Sequence, residues 1–295
     1  MHKTYPSKLL LFGEYSVIRG SKALAVPLAR YGGAWDWAGK SEAAALQQDL
    51  PRFAAWLGEQ AVEMDFRRFQ QDLAEGLYFK SNIPTGYGLG SSGALVAAVY
   101  ERYARNPVAA DDAARLPALK AELAALEGFF HASSSGIDPF ISYVDRPVVL
   151  SGSGGVSVLP GVTWPQGLRF FLINTEKARQ TGPLVQLFLE KCRTESFQHE
   201  VETALKPAVD EAIQAFLDLD EARLFACTEA ISRFQLTHFR EMIPDEFLPL
   251  WERSLEGDDF RMKLCGAGGG GFLLGLCRRE NDCLEHWLSR PWEWV

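Results

Sequence analysis

The sequence lacks several features that would place it in common classes of protein. Its five cysteines are odd in number and show no C-x-x-C spacing, which excludes a structural zinc site of the usual kind and indicates free thiols in a reducing cytoplasm. No run approaches the roughly 20 consecutive apolar residues of a membrane-spanning helix, and the first residues show no cleavage site of a secretory signal. We therefore expect a cytoplasmic protein without a membrane partner.

Positive charge is also scarce. The 295 residues include 30 Lys and Arg against 38 Asp and Glu, which gives a formal net charge of −8. A nucleic-acid-binding surface would require clustered Lys and Arg, so we expect no nucleic-acid partner, although a few local cations could still bind a small anion. The apolar content of 47% suffices for the core of one large domain or two ordinary ones.

Strand and helix patterns follow one another irregularly along the chain. Strands are predicted at 7–18, 22–28, 77–83, 168–174 and 272–276, with two further strands joined by a glycine turn within 148–159. Helices are predicted within 41–75, 93–105, 116–131 and 183–232. Because this order lacks regular βαβ alternation, it favours an α+β fold over a doubly wound sheet. Prolines and glycines at 160–167 indicate a linker. We therefore predict an N-terminal ATP-binding domain at 1–163 and a C-terminal domain at 164–295.

A first glycine loop, PTGYGLGSSG at 84–93, lies between a predicted strand and a predicted helix. Glycines let backbone N–H groups approach an anion, and a helix N-terminus adds unpaired donors and a favourable dipole. The loop is therefore predicted to hold the phosphates of a nucleotide, and its serines could also cap the helix or bind Mg²⁺. The candidate residues are Pro84, Gly86, Gly88, Leu89, Gly90, Ser91, Ser92 and Gly93.

The first glycine loop has other interpretations. Gly88, Gly90 and Gly93 satisfy the dinucleotide pattern G-x-G-x-x-G, but the acidic residue expected about 20 positions later falls in a proline-containing loop. A P-loop at Gly39-Lys40-Ser41 is rejected because its first glycine would fall on Ala34. A tight turn followed by a capped helix, without any ligand, stays open as an alternative.

Three charged residues and a second glycine loop could complete a site. Lys8 lies on an otherwise apolar strand, Glu127 near the end of a predicted helix, and Asp138 at the start of the next ordered segment. The two carboxylates could meet, one holding Mg²⁺ and the other near a substrate hydroxyl. Taken singly, however, Asp138 is more simply explained as a helix cap and Glu127 as part of a solvated helix face. The second glycine loop, CGAGGGG at 265–271, is costly to order and more readily frames a ligand than a hairpin.

These motifs, in this order, resemble those of the GHMP kinase superfamily, and within it the mevalonate kinase branch. The first family motif is matched by Pro6, Lys8, Leu11, Gly13, Glu14, Tyr15, Ser16 and Val17. The second is similar to 84–93, and the third to Lys263–Gly271 with Cys265 at a hydroxyl position. Between them, Glu127, His131, Ser135, Gly136, Ile137 and Asp138 keep the family spacing, and Asn174-Thr175 with Arg179-x-Thr181 resembles a further segment.

The resemblance implies a two-domain fold, with an N-terminal domain like ribosomal protein S5 domain 2 and a ferredoxin-like C-terminal domain. It implies an ATP- and Mg²⁺-dependent kinase that phosphorylates mevalonate in isoprenoid biosynthesis. Asp138 would be the catalytic aspartate with Lys8 as its charged neighbour, and Ser92 and Glu127 would be the Mg²⁺ ligands. The residues near the acceptor would be Glu14, Tyr15, His131, Thr181, Gly268 and Gly269.

The identity of the acceptor is less closely defined than the kinase activity. Mevalonate kinases usually carry histidine after G-E, whereas Gly13-Glu14-Tyr15 is closer to the phosphomevalonate kinase form. Phosphomevalonate, a sugar or an amino-alcohol is therefore an alternative acceptor, and a non-catalytic nucleotide-binding module is an alternative of a different class. The eight tryptophans could lie in the core or at an interface, so a homodimer is one expectation.

Overall fold

The computed structural model describes residues 3–46, 49–60, 62–130, 134–152, 154–179, 181–279 and 290–295. The chain divides into two compact units, each assembled from three segments. The first unit comprises Met1–Lys8, Pro27–Pro84 and Leu89–Arg146, and the second comprises Leu9–Val26, Thr85–Gly88 and Pro147–Val295. The division falls within the first two strands, β1 (Tyr5–Phe12) and β2 (Ala23–Trp37). A domain boundary between residues 163 and 164 stays a prediction.

The first unit combines one strand pair with six helices in the part that is described. Its elements are α1 (Lys40–Leu46), α2 (Leu50–Leu57), α3 (Phe66–Glu75), β3 (Leu77–Ser81), α4 (Ser91–Tyr103), α5 (Leu116–Glu127) and α6 (Ile137–Val144). β3 pairs antiparallel with the end of β2, from Gly33 opposite Ser81 to Trp37 opposite Leu77. α4 packs against α5 and α6.

Small residues allow α4 to lie at the centre of the first unit. Ala94, Ala97 and Ala98 are fully buried along the helix, and alanine costs no side-chain entropy in a helix. At its C-terminal end α4 carries Tyr100 and Tyr103, which are also buried. The first glycine loop therefore leads into a helix that is buried along most of its length.

The second unit contains two groups of strands and five helices in its described part. Its elements are β4 (Val148–Leu150), β5 (Val156–Val158), β6 (Leu168–Asn174), α7 (Thr181–Lys191), α8 (Glu195–Glu200), α9 (Lys206–Asp218), α10 (Glu221–His238), α11 (Leu248–Glu256), β7 (Phe260–Leu264), β8 (Phe272–Arg278) and β9 (Trp292–Trp294). β4 pairs antiparallel with Ala23–Ala25 of β2 and with β5. Short 3₁₀ helices at Ser16–Arg19, Arg240–Met242 and Asp245–Phe247 and a π-turn at Val201–Leu205 complete the list.

A four-stranded antiparallel sheet with the order β7-β8-β6-β9 forms the core of the second unit. β6 and β8 pair over their full length, from Leu168 opposite Arg278 to Asn174 opposite Phe272. β7 pairs with β8 so that Lys263 lies opposite Leu274. α10 packs against β7 and α9. The second glycine loop is therefore the connection between two paired strands, β7 and β8.

The α+β class predicted from the sequence is confirmed by these elements. The predicted strand at 7–18 ends at Phe12, because Gly13 and Tyr15 adopt positive φ angles of 115° and 62° and a 3₁₀ helix follows. The helices α6 and α11 and the strand β9 were not predicted. Among the described residues, no helix has the length and apolar content needed to cross a bilayer.

Candidate functional site

In the first unit, the end of the first glycine loop forms the N-terminus of α4. Gly90 precedes the helix in the left-handed region, with a φ of 75°, and the carbonyl of Leu89 accepts a 3.0 Å hydrogen bond from the backbone N–H of Lys8 on β1. At Gly93 a Cβ would come within 2.7 Å of the backbone between Asp138 and Pro139. Glycine at 93 therefore lets the first turns of α4 and α6 approach each other.

Lys8 and Asp138 form an ion pair beside this helix N-terminus. The Lys8 Nζ lies 3.1 Å from the Asp138 Oδ1, and the two side chains are 11% and 31% exposed. Asp138 occupies the first turn of α6, where the helix dipole favours a negative charge. The aspartate is therefore held in a fixed position while part of its side chain still reaches solvent.

Ser92 and Glu127 form a second pair in the first unit. The Ser92 Oγ donates to the Glu127 Oε1 at 3.2 Å, and the Ser134 Oγ donates a short hydrogen bond to the other carboxylate oxygen. Glu127 is only 4% exposed at the end of α5. Burial, followed by the negative charge of Asp138, raises the pKa of Glu127 to about 7, although the two serine hydrogen bonds and Lys8 oppose the rise.

The carboxylates of Glu127 and Asp138 provide the kind of oxygen ligands that a magnesium site uses. Mg²⁺ prefers oxygen ligands and is commonly bound by one or two carboxylates together with substrate phosphates. In the described part of the chain, no three His, Cys, Asp or Glu side chains cluster closely enough to hold a metal by themselves. The set of Ser92, Glu127 and Asp138 nevertheless fits Mg²⁺, because a cation would relieve the repulsion that raises the pKa of Glu127.

In the second unit, Glu14 is paired with Lys263. The Lys263 Nζ lies 2.5 Å from the Glu14 Oε1, and both side chains are 1% exposed. Burial raises the pKa of Glu14, and the positive charge of Lys263 is the main influence that opposes the rise. Glu14, predicted to lie near the acceptor, is thus one half of a buried ion pair.

Tyr15 is enclosed by the second unit. Its side chain is 4% exposed and its hydroxyl donates to the carbonyl of Ala267 at 2.5 Å. The rings of Phe188 and Phe239 lie with their centroids 5.0 Å from that of Tyr15. Burial therefore raises the pKa of the Tyr15 hydroxyl, although Arg179 opposes this effect.

Arg179 lies beside both glycine loops within the second unit. Its Nη1 donates to the Cys265 carbonyl at 2.7 Å, and its backbone N–H donates to Gly86 at 3.0 Å. Its Nε is buried and has no hydrogen-bond partner in the described structure. The sequence placed Arg179 in a family segment without giving it a role, and Ser134 was also missed. The run of three serines before Gly136 was the available signal for Ser134.

The remaining predicted residues have different surroundings. Thr181 is exposed at the start of α7. The N–H of Gly269 donates to the Met242 carbonyl at 2.6 Å, which leaves it engaged within the protein. Pro84 is half-buried in the first unit, whereas Gly86 and Gly88 belong to the second. His131 lies outside the described residues. The roles assigned to these residues stay predictions.

Comparison with known proteins supports the family resemblance. Residues 56–146 match the family model described as GHMP kinases N terminal domain. A comparison with curated protein sequences finds no match. The predicted resemblance to GHMP kinases, in the mevalonate kinase-like form, is confirmed.

Solved structures with a similar fold cover almost the whole chain. The Leishmania major mevalonate kinase in complex with R-mevalonate is 17% identical, with a TM-score of 0.67 over 99% of this chain and 92% of that one. The Streptococcus pneumoniae phosphomevalonate kinase in complex with phosphomevalonate and AMPPNP is 15% identical, with a TM-score of 0.68 over 100% of both chains. The Lactococcus lactis galactokinase complexed with galactose is 16% identical, with a TM-score of 0.66 over 99% of this chain and 91% of that one. These similarities establish that the chain shares its mixed helix-and-sheet fold with these kinases over nearly its whole length.

Proposed function

We propose that this chain, whose residues 56–146 match the model of the GHMP kinase N-terminal domain, belongs to that superfamily and transfers the γ-phosphoryl group of ATP to a hydroxyl of a small acceptor. The observation that carries the proposal is the pairing of Asp138 with Lys8 at 3.1 Å beside the N-terminus of α4. A phosphoryl-transfer enzyme mainly positions its reactants and neutralises developing charge. A partly exposed carboxylate that is paired with a lysine next to a helix N-terminus combines a base with a site for phosphate.

Each group in the first unit has a role in this proposal. The N-terminus of α4, with Gly90 and Ser91, would bind phosphate oxygens through backbone N–H groups. Asp138 would accept the proton of the acceptor hydroxyl, and Lys8 would keep its carboxylate ionised. Ser92 and Glu127 would hold Mg²⁺, which when bound neutralises charge on the phosphate oxygens.

Mevalonate is the acceptor that we propose first. Two observations support it: the match to the mevalonate kinase form of the motifs and the similarity in fold to a mevalonate kinase in complex with R-mevalonate. Phosphomevalonate is the second candidate, because Tyr15 has the phosphomevalonate kinase form and a phosphomevalonate kinase matches the fold over the full length of both chains. A cytoplasmic location and a homodimer also stay predictions.

The proposal is tested by removing the proposed base. Asp138→Asn keeps the size of the side chain but removes the carboxylate, so we expect turnover to fall by about 10³-fold, within the range for general bases. Release of ADP would be measured with mevalonate, phosphomevalonate, galactose and an amino-alcohol as acceptors. Binding of ATP, measured by calorimetry, should change little.

Asp145→Asn is the matched control for this test. Asp145 follows the same helix at its C-terminal end, in a left-handed conformation that asparagine also tolerates. We expect this variant to keep normal turnover. Undiminished turnover in Asp138→Asn would remove Asp138 from the mechanism. Binding of ATP by the wild type without turnover of any acceptor would favour the non-catalytic module.

A further inference from the structure

The polar group of Tyr15 is already used inside the protein. Its hydroxyl donates to the carbonyl of Ala267 at 2.5 Å, and its ring is enclosed by Phe188 and Phe239. Only 4% of the residue is exposed. A buried hydroxyl that changed its partner would leave the carbonyl of Ala267 without its hydrogen bond, which costs free energy. Tyr15 is therefore poorly placed to exchange this bond for one to a ligand.

The preceding residue holds the same loop. Glu14 pairs with Lys263, which leads into the second glycine loop. Glu14 and Tyr15 thus contact two positions of one short segment, at 263 and 267. Glu14 and Tyr15, which are consecutive residues of the first family motif, therefore both hold the segment that carries the third family motif, Lys263–Gly271.

Other contacts fix the rest of the second glycine loop. The N–H of Gly269 donates to Met242 and that of Gly271 to Lys177, both at 2.6 Å. The Thr175 hydroxyl donates to the Gly271 carbonyl at 2.7 Å. A loop with five glycines loses much conformational entropy when it is ordered. It therefore needs such anchors to keep a single conformation.

The backbone of Tyr15 adds to this interpretation. Its positive φ of 62°, combined with a ψ of −47°, is uncommon for a residue with a bulky side chain. Such a conformation persists where the surrounding contacts over-determine it. The energetic cost of this backbone conformation is explained if the turn at Glu14-Tyr15 directs both side chains toward the second glycine loop.

We infer that Tyr15 is a positioning residue that fixes the second glycine loop and does not contact the acceptor. This differs from the role near the acceptor that the sequence predicted for it. The kinetic consequence rests on the proposed function. On this inference, tyrosine in place of histidine at position 15 does not itself select the acceptor, and the loop that it anchors affects acceptor binding indirectly.

Tyr15→Phe separates the two roles, because it removes the hydroxyl and keeps the ring between Phe188 and Phe239. We expect amide hydrogen exchange across 265–271 to accelerate by about fivefold to tenfold, the effect of one lost hydrogen bond. We also expect the KM for the acceptor to rise while the KM for ATP stays within about twofold. Exchange would be followed by mass spectrometry on peptides that cover 263–274.

Tyr143→Phe is the matched control. Tyr143 is a buried tyrosine of the first unit whose hydroxyl donates to the carbonyl of Val108 at 2.7 Å. Its loss removes the same kind of bond elsewhere, so exchange across 265–271 should keep its wild-type rate. Faster exchange in this loop in both variants would indicate general destabilisation and would overturn the inference.

Two further outcomes would also overturn it. A higher KM for the acceptor with unchanged loop exchange would mean that the Tyr15 hydroxyl contacts the acceptor. Unchanged values of both would show that the hydroxyl anchors nothing. Faster loop exchange with an unchanged KM would still support the anchoring role of Tyr15 and would remove only its indirect effect on acceptor binding. If the wild type phosphorylates no acceptor, the proposed function fails, whereas the exchange rates still decide whether Tyr15 anchors the loop.

Discussion

Two buried glutamates, one in each unit, have opposite surroundings. Glu14 in the second unit lies 2.5 Å from the ammonium group of Lys263, and both side chains are 1% exposed. Glu127 in the first unit accepts from two serine hydroxyls and lies close enough to Asp138 for its charge to raise the pKa of Glu127. One carboxylate is thus neutralised by the protein, whereas the other has a second carboxylate as its neighbour.

This difference distinguishes a glutamate with a structural role from one with a proposed role in metal binding. A buried charge is costly unless it is paired, so a protein that keeps an unneutralised carboxylate inside usually gains something else from it. Glu14 satisfies its charge within the fold and serves to anchor the second glycine loop. The negative charge around Glu127 is not fully balanced by the protein, and a divalent cation would balance it. The comparison therefore assigns a structural ion pair to one unit and a proposed metal site to the other.

The largest expected effect comes from breaking the neutralised pair. Lys263→Met keeps an unbranched side chain of similar length but leaves Glu14 buried without a counter-ion. We expect the free energy of unfolding to fall by about 3–5 kcal/mol, the usual cost of removing one partner of a buried pair. Urea unfolding would measure the loss. The double variant Glu14→Gln with Lys263→Met should recover a large part of it, because no uncompensated charge remains.

Lys206→Met provides the control in the same unit. Lys206 pairs with Glu202 at 2.6 Å, but the two side chains are 22% and 38% exposed. Loss of this surface pair should cost at most about 1 kcal/mol. Equal effects of the two lysine substitutions, or a double variant no more stable than Lys263→Met, would contradict the distinction drawn here between the two glutamates.

The second prediction concerns the pH dependence of stability with chelator present. The pKa of Glu127 is about 7 in the folded protein, against an ordinary value of 4.5 for a glutamate carboxyl group. Between these values the folded state keeps a proton that the unfolded state has lost, so the free energy of unfolding falls as the pH rises. We expect a loss of about 3 kcal/mol between pH 4.5 and 8, which Glu127→Gln should abolish.

Asp138→Asn provides a second comparison for the pH dependence of stability. It removes the negative charge that is the second cause of the raised pKa of Glu127, after burial. The decrease in the free energy of unfolding with rising pH should therefore be smaller in this variant. Added Mg²⁺ should also reduce this decrease in the wild type. A slope that is the same in the wild type and Glu127→Gln would show that another group titrates, and would weaken the contrast with Glu14.

The sequence predicts best where the signal is local. The strand at 168–174 has the predicted bounds, and α4 starts within two residues of the prediction because glycines and alanines determine both its N-terminus and its buried face. α6 was not predicted as an element, although capping of a helix by Asp138 before Pro139 was one of the alternatives given for that residue. Proline is tolerated in the first turn of a helix, where its missing N–H needs no partner.

Long-range pairs could not be predicted from patterns. Lys8 and Asp138 are brought together by strand and helix packing across 130 positions, and only the family resemblance suggested that they meet. The partner of Glu14 lies 249 residues away, so the sequence indicated a contact to the acceptor where the structure has an ion pair. Trp292 and Trp294 were open to a core or an interface, and the structure places them on a short edge strand beside β6.

The smallest expected effect tests the metal site from its hydroxyl side. Ser92→Ala removes a donor to Glu127 and one proposed Mg²⁺ ligand, so we expect the Mg²⁺ concentration for half-maximal ADP release to rise about tenfold, equivalent to one charged hydrogen bond. Ser81→Ala, just before the first glycine loop, removes a hydroxyl that accepts from the N–H of Ile83 and should leave the Mg²⁺ requirement as it is. An unchanged requirement in Ser92→Ala as well would exclude Ser92 from the metal site, and the contrast with Glu14 would then rest on Glu127 and Asp138 alone.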